Sequence, residues 1–201
     1  NLRPSMSIPY VNFVPVFCLA LIITIYGSLD VFLVRLMFAP HISGYFATVT
    51  VLAKALLYPS LGIMTVVFPM QVQAVNEMRS SLSLSLVTLA ICFLISVIIL
   101  SILYFGFEVI IPMTYGKDFI GAKYLFLPYG ILILCVMANV HIMYLFLAGG
   151  IENNHFLKLL ALHLTVCVSS LFLSEDGVSF VTGMIIGNIL IFLFSIFFEL
   201  K

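Results

Sequence analysis

Charged residues are scarce in this sequence. Of its 201 residues only 8% are charged and 64% are hydrophobic, whereas a soluble domain is typically about 25% charged and about 45–50% apolar. So few charges cannot cover a surface that faces water, which excludes an ordinary soluble domain. The eight basic and eight acidic side chains cancel and form no basic cluster, so nucleic acid is excluded as a partner.

The sequence also lacks cysteines at the spacing of a disulfide framework or a zinc site. There is no C-x-x-C pair, and every cysteine lies inside an apolar stretch, where it is expected to pack as a small hydrophobic side chain. We therefore predict no metal and no cofactor. The four cysteines are Cys18, Cys92, Cys135 and Cys167.

Enzyme motifs are absent as well. No G-x-S-x-G, H-E-x-x-H or Walker A sequence occurs, and no histidine is followed five residues later by an aspartate. The sequence predicts a protein that is not an enzyme and has no catalytic residue.

What the sequence has is apolar stretches, each near or above the roughly 20 residues that a helix needs to cross a bilayer. Their length without strict alternation favours helices over a closed barrel. We predict an all-α, polytopic membrane protein in which residues 1–201 form a single bundle of six transmembrane helices. Short breaks predict that consecutive helices are antiparallel neighbours. The predicted spans are 13–38, 46–70, 82–107, 124–148, 156–173 and 178–198.

The basic residues do not orient the bundle. Positive side chains are expected on the cytoplasmic side, but they divide almost evenly between the two ends. One end has Arg3, Arg79, Lys158 and Lys201, and the other has Arg35, Lys117 and Lys123.

Two charged residues within the spans require an explanation, because a charge at the bilayer centre costs about 2.5–3.5 kcal/mol. Asp30 lies 11 residues before His41 in the first turn and Lys54 lies 13 residues after it, so the two have a similar depth on neighbouring helices. We predict an ion pair, which Arg35 could share. The pair either faces a cavity and binds a pyrophosphate or a coupling cation, or it fixes helix register.

A second polar group is predicted in the fourth and fifth spans. Asn139 and His141 precede the break at Gly149, and His163 follows it at a matching depth. Two histidines alone make a poor zinc site. They are expected to point into the bundle as interhelical hydrogen-bonding groups, with a proton-relay or substrate role as the alternative.

The last span contains Gly183-x-x-x-Gly187 followed by Asn188. This spacing of small residues permits close packing of two membrane helices. Asn188 is included among the candidate pathway residues, and bends at Pro15 and Pro59 are candidate hinges.

Three local patterns resemble the polysaccharide exporter branch of the multidrug/oligosaccharidyl-lipid/polysaccharide (MOP) superfamily, which includes the O-antigen flippases. The YGxxFxxA segment in the second pattern is the most specific. The patterns are DVFLV at 30–34 with SGY at 43–45 and VVFP at 66–69; IIPMTYGKDF at 110–119 with Ala122; and the Gly149-Gly150 break.

The resemblance implies a MATE-like fold in which two six-helix bundles surround a central cavity that opens alternately to each side. The chain would then be the C-terminal bundle, and its partner would be a missing N-terminal six-helix half. The resemblance also implies location in the cytoplasmic (inner) membrane, with cytoplasmic termini and the loop around Tyr115 facing outward.

The function implied is flipping of a lipid-linked oligosaccharide, an O-antigen or capsule repeat unit. The implied partners are the lipid bilayer, a polyprenyl-pyrophosphate-linked oligosaccharide, and a coupling proton or sodium ion. Two alternatives stay open. One is a multidrug or small-solute cation-coupled antiporter of the same superfamily, and the other is a truncated bundle that does not transport.

Overall fold

The structure, a computed structural model, describes residues 13–78, 80–150 and 153–199. Every regular element in these ranges is helical, which confirms the predicted all-α class. Three of the basic residues that were compared between the two ends of the bundle lie outside the described residues, namely Arg3, Arg79 and Lys201. The elements are α1 Phe13–Thr24, a π-helical turn Ile25–Leu29, α2 Asp30–Met37, α3 Pro40–Lys54, α4 Leu57–Asn76, α5 Leu82–Thr114, a 3-10 helix Lys117–Ala122, α6 Lys123–Gly149, α7 Asn153–Phe172 and α8 Gly177–Glu199.

Length and composition support a multi-pass membrane protein. Within the described residues, five helical stretches are long and apolar enough to cross a membrane. Helix α1 is a shorter apolar helix, although it continues through the π-helical turn into α2. A sixth crossing therefore stays a prediction. The five stretches are Pro40–Asn76, Leu82–Thr114, Lys117–Gly149, Asn153–Phe172 and Gly177–Phe197.

The boundaries of two predicted spans differ from the structure by more than three residues. The second, expected at 46–70, begins at Pro40, breaks after Lys54 and ends at Asn76. It begins earlier because proline is favoured in the first turn of a helix, where its missing N–H has no partner to lose. The third, expected to end at 107, continues to Thr114 through Pro112.

Helix α6 is the centre of the structure. It packs against α3, α4, α5 and α8, and its buried residues occur on nearly all of its faces, as expected for a helix that is apolar all round. Helix α7 packs mainly on α8 and α1, not along α6. The expectation that consecutive helices are neighbours is therefore wrong at the α6–α7 turn.

A glycine ends α6. Gly150 has φ 70°, in the left-handed region, where a side chain would be strained. Its N–H donates to the carbonyl of Leu147 at 3.3 Å, which closes the last turn. The predicted break at Gly149-Gly150 is confirmed, since α6 ends at Gly149 and α7 begins at Asn153.

The glycine at 130 lets α5 approach α6 closely. A Cβ atom at Gly130 would lie 2.4 Å from Cδ1 of Leu100, which is buried. We expect Gly130→Leu to destabilise the fold by about 1–3 kcal/mol through overpacking. The matched control is Gly62→Leu in α4, where nothing lies within 4 Å of the added Cβ. Thermal unfolding in detergent measures both, and equal midpoints for the two variants would contradict the prediction.

The N-terminus of α8 is capped by Asp176. Its carboxylate Oδ1 accepts the backbone N–H of Ser179 at 2.7 Å, and the Ser179 hydroxyl donates to the Asp176 carbonyl at 2.9 Å. The reciprocal N–H of Asp176 donates to the Ser179 hydroxyl at 3.1 Å, completing a capping box. The hydrogen bond from the Ser179 N–H lowers the pKa of Asp176, because it stabilises the charged carboxylate.

The cap predicts a stability that depends on pH. Because the folded pKa lies below the ordinary value of about 3.9, the contribution is complete above that value and is lost as the pH falls through the folded pKa. Asp176→Ala should cost about 0.5 kcal/mol at neutral pH, the low end for a cap, since the exposed group is screened by water. Glu175→Ala is the control. Thermal unfolding of both variants at neutral and acidic pH measures the loss. Equal losses in Asp176→Ala and Glu175→Ala at neutral pH would contradict the prediction, and so would a loss in Asp176→Ala that is the same at both pH values.

Candidate functional site

A π-helical turn places Asp30. Buried positions on α1 recur three or four residues apart, as at Cys18 and Ile22, and Ile25 at the start of the π-helical turn continues this spacing. Asp30 is buried five positions after Ile25, and Val34 is buried four positions after Asp30. The turn from Ile25 to Leu29 is wider than an α-helical turn, and π-turns of this kind are frequent at functional sites. Its extra residue rotates Asp30 onto the packed face.

A second interruption follows Lys54. Helix α3 ends there, and α4 begins at Leu57, with Pro59 unable to donate a backbone hydrogen bond. Ser96 of α5 donates its hydroxyl to the Leu56 carbonyl at 3.1 Å. Side chains from neighbouring helices commonly satisfy backbone groups that a broken membrane helix frees. The packing of α5 against the α3–α4 break therefore stabilises this interruption.

The predicted ion pair is confirmed. The ammonium Nζ of Lys54 lies 3.0 Å from Oδ1 of Asp30, and the Asp30 side chain is 1% exposed. Oδ1 also accepts the backbone N–H of Val31 at 2.8 Å. The second oxygen, Oδ2, accepts the hydroxyl of Tyr129 from α6. We call Asp30, Lys54 and Tyr129 the buried cluster.

Helix geometry explains how these residues meet. Asp30 is seven residues from the end of α2 and Tyr129 is six residues into α6, so both lie about 10 Å from the same end of the bundle. Lys54 is deeper on α3, but helical side chains lean toward the N-terminus of their helix, which directs Lys54 toward Asp30.

Aromatic rings enclose the cluster. The ring of Tyr129 is 1% exposed and lies beneath the Lys54 ammonium, 5.9 Å from it. Phe46 of α3 contacts Tyr129 edge to face at 5.3 Å between ring centres, and Phe180 of α8 contacts Phe46 at 5.8 Å. Two opposite charges are thus held in a closed, largely apolar environment where four helices meet.

Arg35 does not join the ion pair. It is exposed near the end of α2, and among the described residues it makes no salt bridge with Asp30. Five residues along a helix turn a side chain well away from its starting face, which explains the separation. Arg35 instead lines a surface crevice together with Ser43 and Gly44.

The second polar group is buried, as predicted. Asn139, His141 and His163 are 3%, 1% and 0% exposed. Asn139 donates its amide to the backbone carbonyl of Asn188 at 3.0 Å and to its side-chain oxygen at 3.2 Å, so this pair does link α6 to α8. The histidines each use Nδ1 to contact the carbonyl four residues earlier, at 2.9 Å in His141 and 2.7 Å in His163. The contact of His141 lies within α6, and its Nε2 has no partner among the described residues, so the expected interhelical hydrogen bond of His141 is wrong.

The glycines of α8 pack against α7. A Cβ atom at Gly187 would lie 2.4 Å from Cγ1 of Val166, and one at Gly183 would lie 2.9 Å from the Ser170 hydroxyl. This confirms close helix packing at the Gly183-x-x-x-Gly187 sequence.

Tyr129 is the member of the cluster that the sequence argument did not identify. Depth in the membrane was compared only between charged residues, so a tyrosine in an apolar stretch was not considered. The signal was present, since a buried tyrosine hydroxyl usually has a hydrogen-bond partner and Tyr129 has nearly the depth of Asp30. Among the described residues no group of three or more histidine, cysteine or acidic side chains could hold a metal ion.

Comparison with protein families, with curated proteins and with solved structures finds no match for this chain.

Proposed function

We propose that this chain is one six-helix half of a MOP-type, MATE-like transporter in the cytoplasmic membrane. Its substrate would be a polyprenyl-pyrophosphate-linked oligosaccharide, an O-antigen or capsule repeat unit, which it flips to the outer leaflet by alternating access. A polar headgroup cannot cross hydrocarbon unaided, so a bundle with buried polar groups must provide its path. The local sequence patterns described above support the choice of substrate class.

The observation that carries the proposal is the position of the buried cluster at two interrupted helices. Transporters commonly bind substrates and coupling ions at discontinuous membrane helices. Charged groups inside a membrane are costly and most often serve a pathway. In this chain, Asp30 follows the π-helical turn directly and Lys54 directly precedes the α3–α4 break.

The cluster suggests how substrate and ion would be linked. In the closed arrangement the two charges neutralise each other at 3.0 Å. If α2 and α3 move apart, the Lys54 ammonium becomes available to a phosphate, which lysine binds as a point charge. The Asp30 carboxylate then needs another cation, and a proton or sodium ion supplies it. Each anionic headgroup admitted would therefore require one cation on Asp30.

A cation-coupled antiporter of drugs or small solutes is the second candidate. The supporting observation is that Asp30 is the one buried carboxylate among the described residues. A single acid that alternates between an internal lysine and an external cation is sufficient for cation coupling. In this case Lys54 would compete with the ion and would not bind substrate.

The test is export by single alanine variants in the full-length protein. We expect Asp30→Ala or Lys54→Ala to impair surface appearance of the glycan in cells that lack their native exporter. Membrane insertion should be retained, because one changed charge affects headgroup or ion binding more than helix formation. The matched control is the surface ion pair between Lys123 and Glu108 at 2.7 Å, which is partly exposed and should tolerate alanine.

The outcomes separate the candidates. Normal export by both single variants would make the cluster structural and remove the proposal. Loss of export together with loss of protein on a blot would reflect the buried charge left without its partner, so export is then measured in the double variant Asp30→Leu with Lys54→Met. Normal export by that double variant would assign the residues to folding. Export of small cationic drugs in place of glycan would favour the antiporter, and no transport of either would favour a bundle that does not transport.

A further inference from the structure

A groove runs along the outside of α7 and α8. It consists of two cavities of about 730 and 620 Å³. Val166, Gly187 and Leu190 line both of them, so the two are continuous. We call this the α7–α8 groove.

The polar residues of the groove do not make it polar. Three of its hydroxyls donate to carbonyls within the same helix, Thr165 to Ala161 at 2.8 Å, Ser169 to Val166 at 3.3 Å and Thr182 to Val178 at 2.8 Å. The acidic lining residue, Asp176, lies at the end of the groove opposite Lys158, where its carboxylate caps α8. Groups satisfied in this way present mainly carbon to the groove. The surface therefore suits a hydrocarbon chain better than a sugar, whose hydroxyls would need free partners.

The groove is longer than one leaflet. Lys158 lines one end and Ser174 the other, 16 residues apart on the chain, which is about 24 Å along a helix. A bilayer core is about 30 Å thick, so an ordinary acyl chain covers about half of that. Only a longer chain would fill the groove from end to end.

One end carries a positive charge. Lys158 is exposed and makes no ion pair with an acidic side chain of the described residues. Its ammonium can reach the interface while its carbon stem follows the groove. The charge is complementary to a phosphate at the level of the α6–α7 turn, and the chain attached to that phosphate would lie along Leu162 and Leu190.

A partner helix fits the groove less well. The small residues that usually admit a second helix are already used inside the chain, since Val166 fills the space beside Gly187 and Ser170 the space beside Gly183.

We propose that the α7–α8 groove binds the isoprenoid chain of a polyprenyl phosphate, with its phosphate at Lys158. This inference rests on the proposed function, which supplies a polyprenyl carrier and places the α6–α7 turn on the cytoplasmic side. The chain would remain in this groove while the headgroup crosses elsewhere in the bundle.

The test is photo-crosslinking of the purified full chain in nanodiscs with a polyprenyl phosphate that carries a diazirine in its chain. The label should map to α7 and α8, and unlabelled polyprenyl phosphate should compete with it. Lys158→Gln should lower labelling about fivefold, the effect of one basic residue near an anionic group, and Lys158→Arg should retain it. Ser169→Phe should block the groove, while Val168→Phe, exposed on the same helix outside the lining, should not.

Other outcomes would overturn the site. Equal competition by phosphatidylglycerol would make the groove an ordinary lipid contact. Labelling unchanged by Ser169→Phe, or located outside α7 and α8, would place the chain elsewhere. Because the probe carries no glycan and the assay measures no transport, its result is independent of the export test. Labelling without glycan export would keep this site and remove the flippase proposal, and export without labelling would do the reverse.

Discussion

Replacing Asp30 by leucine while Lys54 remains is expected to destabilise the folded chain by about 3–5 kcal/mol. Such a loss follows when one member of a buried ion pair is removed and the other charge is left without its partner. The 3.0 Å contact and the 1% exposure of Asp30 place this pair in that class. Lys54→Met should cause a comparable loss, because it leaves the carboxylate without its cation.

Removing both charges should restore much of the stability, since a buried ion pair exchanged for apolar side chains of similar size is often neutral. The double variant Asp30→Leu with Lys54→Met would still leave the Tyr129 hydroxyl without its acceptor, at a cost of about 1–3 kcal/mol. Adding Tyr129→Phe removes that hydroxyl. We therefore expect stability to rise from the single to the double to the triple variant.

This order is measured by heating the purified variants and using size-exclusion chromatography to quantify the folded protein that remains at each temperature. The pair Glu108→Ala and Lys123→Ala is again the control, because surface ion pairs contribute about 0–1 kcal/mol. Losses that simply add in the double variant would contradict direct coupling between Asp30 and Lys54. A fully stable triple variant that no longer transports would assign the cluster to function.

Deleting Ser28 is expected to be at least as damaging as removing one charge. Ser28 is an exposed residue of the π-helical turn, and its loss allows α1 and α2 to join as a regular α-helix. One residue corresponds to about 100° of rotation about the helix axis. Asp30 would leave the face that meets Lys54 and Tyr129, so both charges would lose their partners.

Ser28→Ala is the control, because it changes the side chain and preserves the chain length. A second control separates the turn from the charges. In the triple variant without the cluster, the Ser28 deletion should cost clearly less than in the original chain, since the two changes act on the same contacts. Equal costs in the two backgrounds would show that the turn matters only for packing of α1 and α2.

The hydropathy of the sequence and the estimated depth of residues in the membrane predicted the features that depend on one helix or on two helices adjacent in sequence. Long apolar stretches identified the helices, because a chain in lipid has few alternatives. Asp30 and Lys54 were paired because they flank one short turn. The π-helical turn was not predicted, since Gly27 and Ser28 within it are residue types that membrane helices commonly contain. The turn is detectable only from which residues become buried.

Tertiary packing explains the other differences. The lengths of the breaks do not reveal that α6 occupies the centre while α7 packs on α8 and α1. Arg35 was grouped with Asp30 by its distance along the sequence, although five residues on a helix point in different directions. Tyr129 comes from a helix far along the sequence, and only the central position of α6 brings it to Asp30.

The central position of α6 also sets an order of events during biosynthesis. Asp30 and Lys54 leave the ribosome long before Tyr129, so they enter the membrane without the hydroxyl that completes their hydrogen bonds. Their mutual attraction lowers the cost of inserting the two helices as a hairpin. The earlier helices must nevertheless stay near the translocon until α6 is released between them. Nascent chains stopped before α6 should consequently be the preferred substrates of membrane proteases, and chains stopped just after it should resist them.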